Sequence, residues 1–167
     1  DCLVAELAQG RARPAYPLVL AVQALLDLRQ LPPQVRAELH LQAVLAGEGG
    51  VFDHAPAGAL IIDFSSIRPD VTTDLARQAA ERGFRLVDAP VSGGEAGAVG
   101  AALSIMVGGT PEDFAAAKPV LDVVGKTIVH VGPNGSGQTV KAANQLIVAG
   151  NIQLLAEAIV FLEAYGV

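Results

Sequence analysis

Four side chains and a pair of glycines in this sequence have the types and spacing of a chemical site. Ser92-Gly93-Gly94 follows the apolar stretch Val-Asp-Ala-Pro-Val at 87–91, and Lys141, Asn144 and Gln145 open a second, much longer apolar run. A strand that ends in Ser-Gly-Gly leaves unhindered backbone N–H groups at its carboxyl end, where open α/β sheets keep their ligand crevice. A small carboxylate can rest there while a helix-borne lysine faces its reacting carbon. Asn144 and Gln145 lie three and four residues beyond Lys141, so they share its helix face and can hydrogen-bond substrate oxygens. Reducing an aldehyde or ketone beside a carboxylate needs a hydride donor, a proton for the developing alkoxide and a grip on the carboxylate. These residues suit the last two needs.

Each has a plainer reading. Lys141 can snorkel from an apolar helix, Ser92-Gly93-Gly94 can be a strand-to-loop turn, and the two amides can bond a neighbouring helix. What favours chemistry for Lys141 is its cost. In the first turn of an apolar helix, the positive end of the macrodipole and desolvation both disfavour the ammonium, which predicts a pKa lowered toward neutrality.

The elements that must carry these groups read as alternating strands and helices. Ala59 to Asp63 is a strand, Pro69 opens a helix to about Arg82, Gly83 stops it, and Phe84 to Asp88 is the next strand, completing a βαβ unit. Leu103 to Val107 and Thr127 to Val131 are further strands, and Thr110-Pro111-Glu112 is a helix start with cap, N1 proline and first-turn acid. The alternation predicts a doubly wound α/β sheet. Gly132 to Gly137 reads as a loop. From Gln138 to about Tyr165 runs a helix of roughly 40 Å at 1.5 Å per residue, with Lys141, Glu157 and Glu163 its only charges. A helix apolar on nearly every face needs partners, which predicts a helical domain around it. Asn151, two turns below Asn144, reads as packing.

With these residues in hand a family resemblance can be stated. Asp-Ala-Pro-Val-Ser-Gly-Gly at 88–94 resembles the substrate motif of the β-hydroxyacid dehydrogenases, relatives of 6-phosphogluconate dehydrogenase. Gly-Ser-Gly-Gln-Thr-Val-Lys-Ala-Ala-Asn-Gln at 135–145 is similar to their catalytic motif, and Ile-Asp-Phe-Ser-Ser-Ile-Arg-Pro at 62–69 to a third motif on the cofactor side. The resemblance implies an incomplete Rossmann-like NAD(P)-binding domain at 45–133, followed at 134–167 by the long interdomain helix of a 6-phosphogluconate-dehydrogenase-like helical domain. It implies NAD or NADP as cofactor, a small carboxylate-bearing substrate and a homo-oligomer built through the helical domain. By the same resemblance Lys141 is the general acid and base. Ser92, Gly93, Gly94, Asn144 and then Gln145 hold the substrate, and Ser66, with Ser65, meets the nicotinamide end of the cofactor. Ser65 and Ser66 can otherwise be N-caps for the helix at Pro69. In wording and spacing the match is nearest to family members that interconvert 2-hydroxy-3-oxopropanoate and D-glycerate, with related semialdehydes as alternatives.

The resemblance does not reach residues 1 to 44, which hold no lysine and a single glycine and read as a divergent helical or misread segment. No G-x-G-x-x-G phosphate loop occurs in the chain. An incomplete chain is one expectation from this; the other is an inactive relative that at most binds a partner. Ala15 to Leu28 has the apolarity of a signal-peptide core, but Pro17 and Asp27 interrupt it, and a buried helix is the expectation. A net charge of −6, from 11 basic and 17 acidic residues, argues against nucleic acid. The single cysteine excludes an internal disulfide and suits a cytoplasmic protein. His40, His54 and His130 lack metal-ligand spacing, and no apolar run is read as reaching the ~20 residues of a membrane span.

Overall fold

A computed structural model describes residues 33–167. The expectation of a buried helix at Ala15 to Leu28 falls outside them. Two helices, α1 (Pro33–Ala46) and α2 (Val51–His54), lead into β1 (Leu60–Asp63), α3 (Pro69–Glu81) and β2 (Arg85–Asp88). β1 and β2 are parallel, with Leu60 opposite Arg85 and Asp63 opposite Asp88. This is the expected βαβ unit. Pro69 stands at the start of α3, and Gly83 follows its end at φ 80°, where an L side chain would be strained.

The sheet is then mixed rather than wholly parallel. β3 (Val91–Ser92) continues the run of β2, and both pair antiparallel with β4 (Leu103–Gly108) in one register: Asp88 faces Gly108, Val91 faces Ile105 and Ser92 faces Ser104. The ten residues from Gly93 to Ala102, which include the short helix α4 (Gly94–Val99), are too few for a parallel crossover, so the chain turns back on itself. After α5 (Pro111–Val124), β5 (Gly125–Gly132) lies parallel to β4. Thr110 caps α5 as expected, its side chain accepting from the Asp113 N–H at 3.0 Å.

Strand side chains alternate between two cores. Ile61 and Leu86 join Leu41, Leu45, Phe52, Leu75 and Ala79 on one face, while Leu60, Ile62, Val87, Ile105 and Val107 join Ala117 and Leu121 on the other. Helices therefore cover both faces of the Rossmann-like sheet, as the strand–helix alternation predicts.

The last helix, α6 (Ser136–Ala164), begins two residues before the expected Gln138. Part of the expected Gly132–Gly137 loop is thus strand end and helix start, and the true turn is Pro133 to Gly135. Its 29 residues make it about 43 Å long. From Gln145 onward every residue of the helix is exposed, Asn151 included, so no packing role for Asn151 is seen. By length and composition α6 is apolar enough to cross a membrane, which corrects the expectation that no run of that kind occurs.

Candidate active site

The three motifs meet at the carboxyl ends of β1 and β2, and a buried carboxylate ties two of them together. Asp88, wholly buried at the end of β2, accepts hydrogen bonds from the N–H of Gly135 at 2.8 Å and of Gln138 at 3.1 Å. A helix start leaves such N–H groups without partners, and no side chain of its own caps α6. Asp88 serves instead, from 47 and 50 residues away. The approach is close enough to require glycine at 137: a Cβ there would lie 2.4 Å from the Met106 carbonyl oxygen and 2.7 Å from Asp88 Oδ2. Asn134 adds a clamp, its Nδ2 donating to the Leu86 carbonyl at 2.7 Å.

Gln138 ties in the third motif. Its side chain is 2% exposed; Oε1 accepts from the Ile67 N–H at 3.2 Å and Nε2 donates to the Ser65 carbonyl at 2.7 Å. The 65–67 loop is held from its other side by Asp63, whose Oδ1 accepts from the Ser65 N–H at 2.9 Å. Ser65 is half-buried and Ser66 exposed. Neither is a helix cap. The N-cap of α3 is Arg68, with no side-chain cap, because the loop carries the chain two residues further before the helix begins.

Gly137 and Gln138 are buried, Lys141 and Asn144 half-buried, and Gln145 exposed. Gln138, Lys141 and Asn144, spaced by three, together with Gly137, four residues before Lys141, form the stripe of α6 that faces the dinucleotide domain. Lys141 therefore stands one turn beyond the docked Gln138, and Asn144 one turn further. Asn144 Nδ2 donates to Gln145 Oε1 at 3.1 Å. Lys141 is the sixth residue of the helix rather than a first-turn residue, so it lies outside the reach of the strongest dipole field, and it is not fully desolvated.

Beyond Asp88 the chain reaches Ser92, half-buried in β3, then Gly93 at φ 141° and Gly94 at φ 60°, both exposed. Two successive positive-φ glycines at a strand end give an open backbone turn that a side chain would strain. Among the described residues no cluster of His, Cys, Asp and Glu suits a metal ion.

Asp63 and Asp88 were not singled out in the sequence, nor was Gln138, although all three lie within the quoted motifs. The signal available was a carboxylate closing each of two apolar strands, a placement that demands buried N–H partners. Burial pushes the Asp63 carboxyl above its usual range; bonds from Ser65 oppose this, and the nearby Asp88 charge adds to it. Burial raises Asp88 as well, against the N–H groups of Gly135 and Gln138. Asp63 Oδ2 has no partner among the described residues. An acid whose folded pKa is raised contributes stability that is full below its unfolded value of about 3.9 and is lost as pH rises through the folded value. Asp63→Asn should therefore gain in melting temperature over the native chain as pH climbs from about 4 to about 7. A difference that stays constant with pH would leave Asp63 without that role.

Comparisons with known proteins match both the sheet region and the last helix. The family model for the NAD binding domain of 6-phosphogluconate dehydrogenase matches residues 3–132, so it reaches into the stretch where no resemblance was read. That for the NAD-binding region of NADP-dependent 3-hydroxyisobutyrate dehydrogenase matches residues 135–167, which assigns α6 to a dehydrogenase domain. The 2-hydroxy-3-oxopropionate reductase of Escherichia coli K12 is 48% identical over 126 residues, 75% of this chain and 43% of that protein. The 2-(hydroxymethyl)glutarate dehydrogenase of Eubacterium barkeri is 47% identical over 120 residues, 72% of this chain and 40% of that one. Among solved structures, Mycobacterium tuberculosis 3-hydroxyisobutyrate dehydrogenase with L-serine is 36% identical with a TM-score of 0.66, covering 69% of this chain and 40% of that one. The chain spans about two-fifths of the length of these relatives. Its sheet, its three motifs and both matched regions show that it belongs to the NAD(P)-dependent β-hydroxyacid dehydrogenase family, with the NAD-binding domain of the 6-phosphogluconate dehydrogenase type.

Proposed function

We propose that the chain forms the cofactor side and proton-transfer helix of a dehydrogenase that interconverts a short 3-hydroxy acid and its semialdehyde, best represented by D-glycerate and 2-hydroxy-3-oxopropanoate. The observation that carries this reading is the meeting of three segments: the 65–67 loop and the start of α6 share Gln138, and that helix start rests on Asp88 of the strand leading to Ser92. The relatives' named substrates support the class. 2-Hydroxy-3-oxopropionate, 3-hydroxyisobutyrate and 2-(hydroxymethyl)glutarate each carry an alcohol or aldehyde carbon bonded directly to the carbon that bears a carboxylate.

In this reading Lys141 gives a proton to the carbonyl oxygen in reduction and takes one from the hydroxyl in oxidation. Asn144, on the docked stripe, orients that oxygen, with Gln145 second. The N–H groups around Ser92, Gly93 and Gly94 receive the carboxylate. The residues fit the nicotinamide end of NAD or NADP: the exposed Ser66 and half-buried Ser65 stand on a loop fixed from both sides by Asp63 and Gln138. When bound, that cofactor supplies the hydride in reduction and accepts it in oxidation. No G-x-G-x-x-G in the sequence marks the pyrophosphate end. A homo-oligomer is part of the same reading. Nothing in the geometry or the relatives favours an inactive binding module over it.

Titration of the chain with NADH and NADPH, followed by nicotinamide fluorescence, tests the reading directly; binding of neither would overturn it. Gly93→Val should raise KM for the hydroxy acid, because Gly93 has φ 141° and an added Cβ would sit 3.1 Å from Leu103 Cδ2. Unchanged KM would return the turn to a purely structural role.

A further inference from the structure

Gln138 is the most deeply buried polar side chain of the lysine helix, and every hydrogen bond it makes through its amide goes to one short loop. Its Oε1 takes the Ile67 N–H and its Nε2 serves the Ser65 carbonyl, one residue on each side of Ser66. Its own backbone N–H is held by Asp88. Lys141 follows three residues later on the same face. The side chain is thus a two-pronged bridge between the loop proposed to meet the nicotinamide and the turn that carries the proton donor.

We propose that Gln138 is a positioning residue that fixes the distance and angle between the Ser65–Ile67 loop and Lys141, so that the proton donor and the cofactor face one reacting carbon together. The inference rests on the reading of the site given above. Its chemistry is specific to an amide. A loop with one free N–H and one free C=O needs a partner that accepts at one atom and donates at the other, in a plane, and among side chains a primary amide does so at every pH. A methionine of similar volume would fill the space and leave both loop groups unpaired. A glutamate would accept from Ile67 but set a second oxygen against the Ser65 carbonyl. Protonated, its carboxyl regains both roles, and burial raises the pKa at which that happens.

Three variants of the full chain decide the matter: Gln138→Met, Gln138→Glu and, as a comparator, Asn134→Ala, which removes a clamp of the same helix start to Leu86. Gln138→Met should lower kcat about a hundredfold, the cost of displacing a catalytic group by about 1 Å, and weaken cofactor binding, with KM for the hydroxy acid within a few-fold. Gln138→Glu should be similarly poor at about pH 8 and recover relative to the native chain toward about pH 5. Asn134→Ala should lower the melting temperature comparably and leave kcat within a few-fold. Independently of turnover, amide exchange at Ile67 should quicken in Gln138→Met and not in Asn134→Ala. Equal kinetic losses from Gln138→Met and Asn134→Ala, or a Gln138→Glu defect that does not vary with pH, would reduce Gln138 to packing. If the native chain bound no nicotinamide cofactor, the site reading itself would fall and this inference with it; native binding with normal Gln138→Met kinetics would sink the inference alone.

Discussion

Lys141→Ala should lower turnover of the proposed dehydrogenase by about 10²- to 10⁴-fold, the usual contribution of a placed general acid, while nicotinamide affinity changes little. The expectation comes from position. Lys141 is the single cation on the stripe of α6 that faces the sheet, one turn from a glutamine bonded to the 65–67 loop. Lys141→Arg separates two ways of acting. Arginine keeps the charge but does not release its proton at working pH, so a role in proton transfer predicts that Arg is nearly as damaging as Ala. Substantial rescue by Arg would mean that the charge alone matters, and near-normal turnover of Lys141→Ala would remove the residue from the mechanism.

What could be read from sequence and what could not divide along the range of the interactions. The strand at 60–63, the helix at 69–81 and its glycine stop, and the capped helix at 111–124 are set by neighbours within a few residues: Pro69, Gly83, Thr110, Pro111. Each of these was legible. Helix α4 was not, because Gly-Glu-Ala-Gly-Ala-Val carries two poor helix formers in six residues. The antiparallel return of β4 follows from the length of its connection and its register against β2 and β3, a non-local property. The start of α6 was misplaced for the same reason. Its first turn has no local capping side chain; Asp88 provides the acceptors from a distant strand, so the helix begins at Ser136 and Lys141 moves out of the first turn. The residue types proposed for chemistry were legible as motifs. Gln138 lay inside one of them without a visible task, since both atoms it bonds belong to a loop some seventy residues earlier.

The second large effect concerns α6 itself. At tens of micromolar the 167-residue chain should self-associate, giving a light-scattering mass of at least twice 17.1 kDa. Leu146, Ile147, Ile152, Leu154, Leu155 and Val160 are each more than 60% exposed, and they lie on different sides of the helix. The exposed part of the helix, Gln145 to Ala164, is about 30 Å long, and a cylinder of that length about 10 Å across has about 900 Å² of lateral surface, comparable with the roughly 800 Å² each partner gives to a standard protein interface. Single-chain proteins in water rarely leave a contiguous apolar patch beyond a few hundred Å². At about 25 cal/mol per Å², covering half of that surface would contribute about 12 kcal/mol before the costs of association are taken. Dimers at micromolar concentration need a net gain of about 8 kcal/mol, which corresponds to a Kd of 1 μM, so most of this gain must survive those costs, and burying more than half of the helix surface widens the margin. Leu155→Glu combined with Ile152→Lys should shift the distribution toward monomer without lowering the melting temperature, because both side chains face solvent within the single chain. A native chain that remains a 17.1 kDa monomer at this concentration would show that the helix face is covered within one molecule, and the argument from its exposed surface would fail.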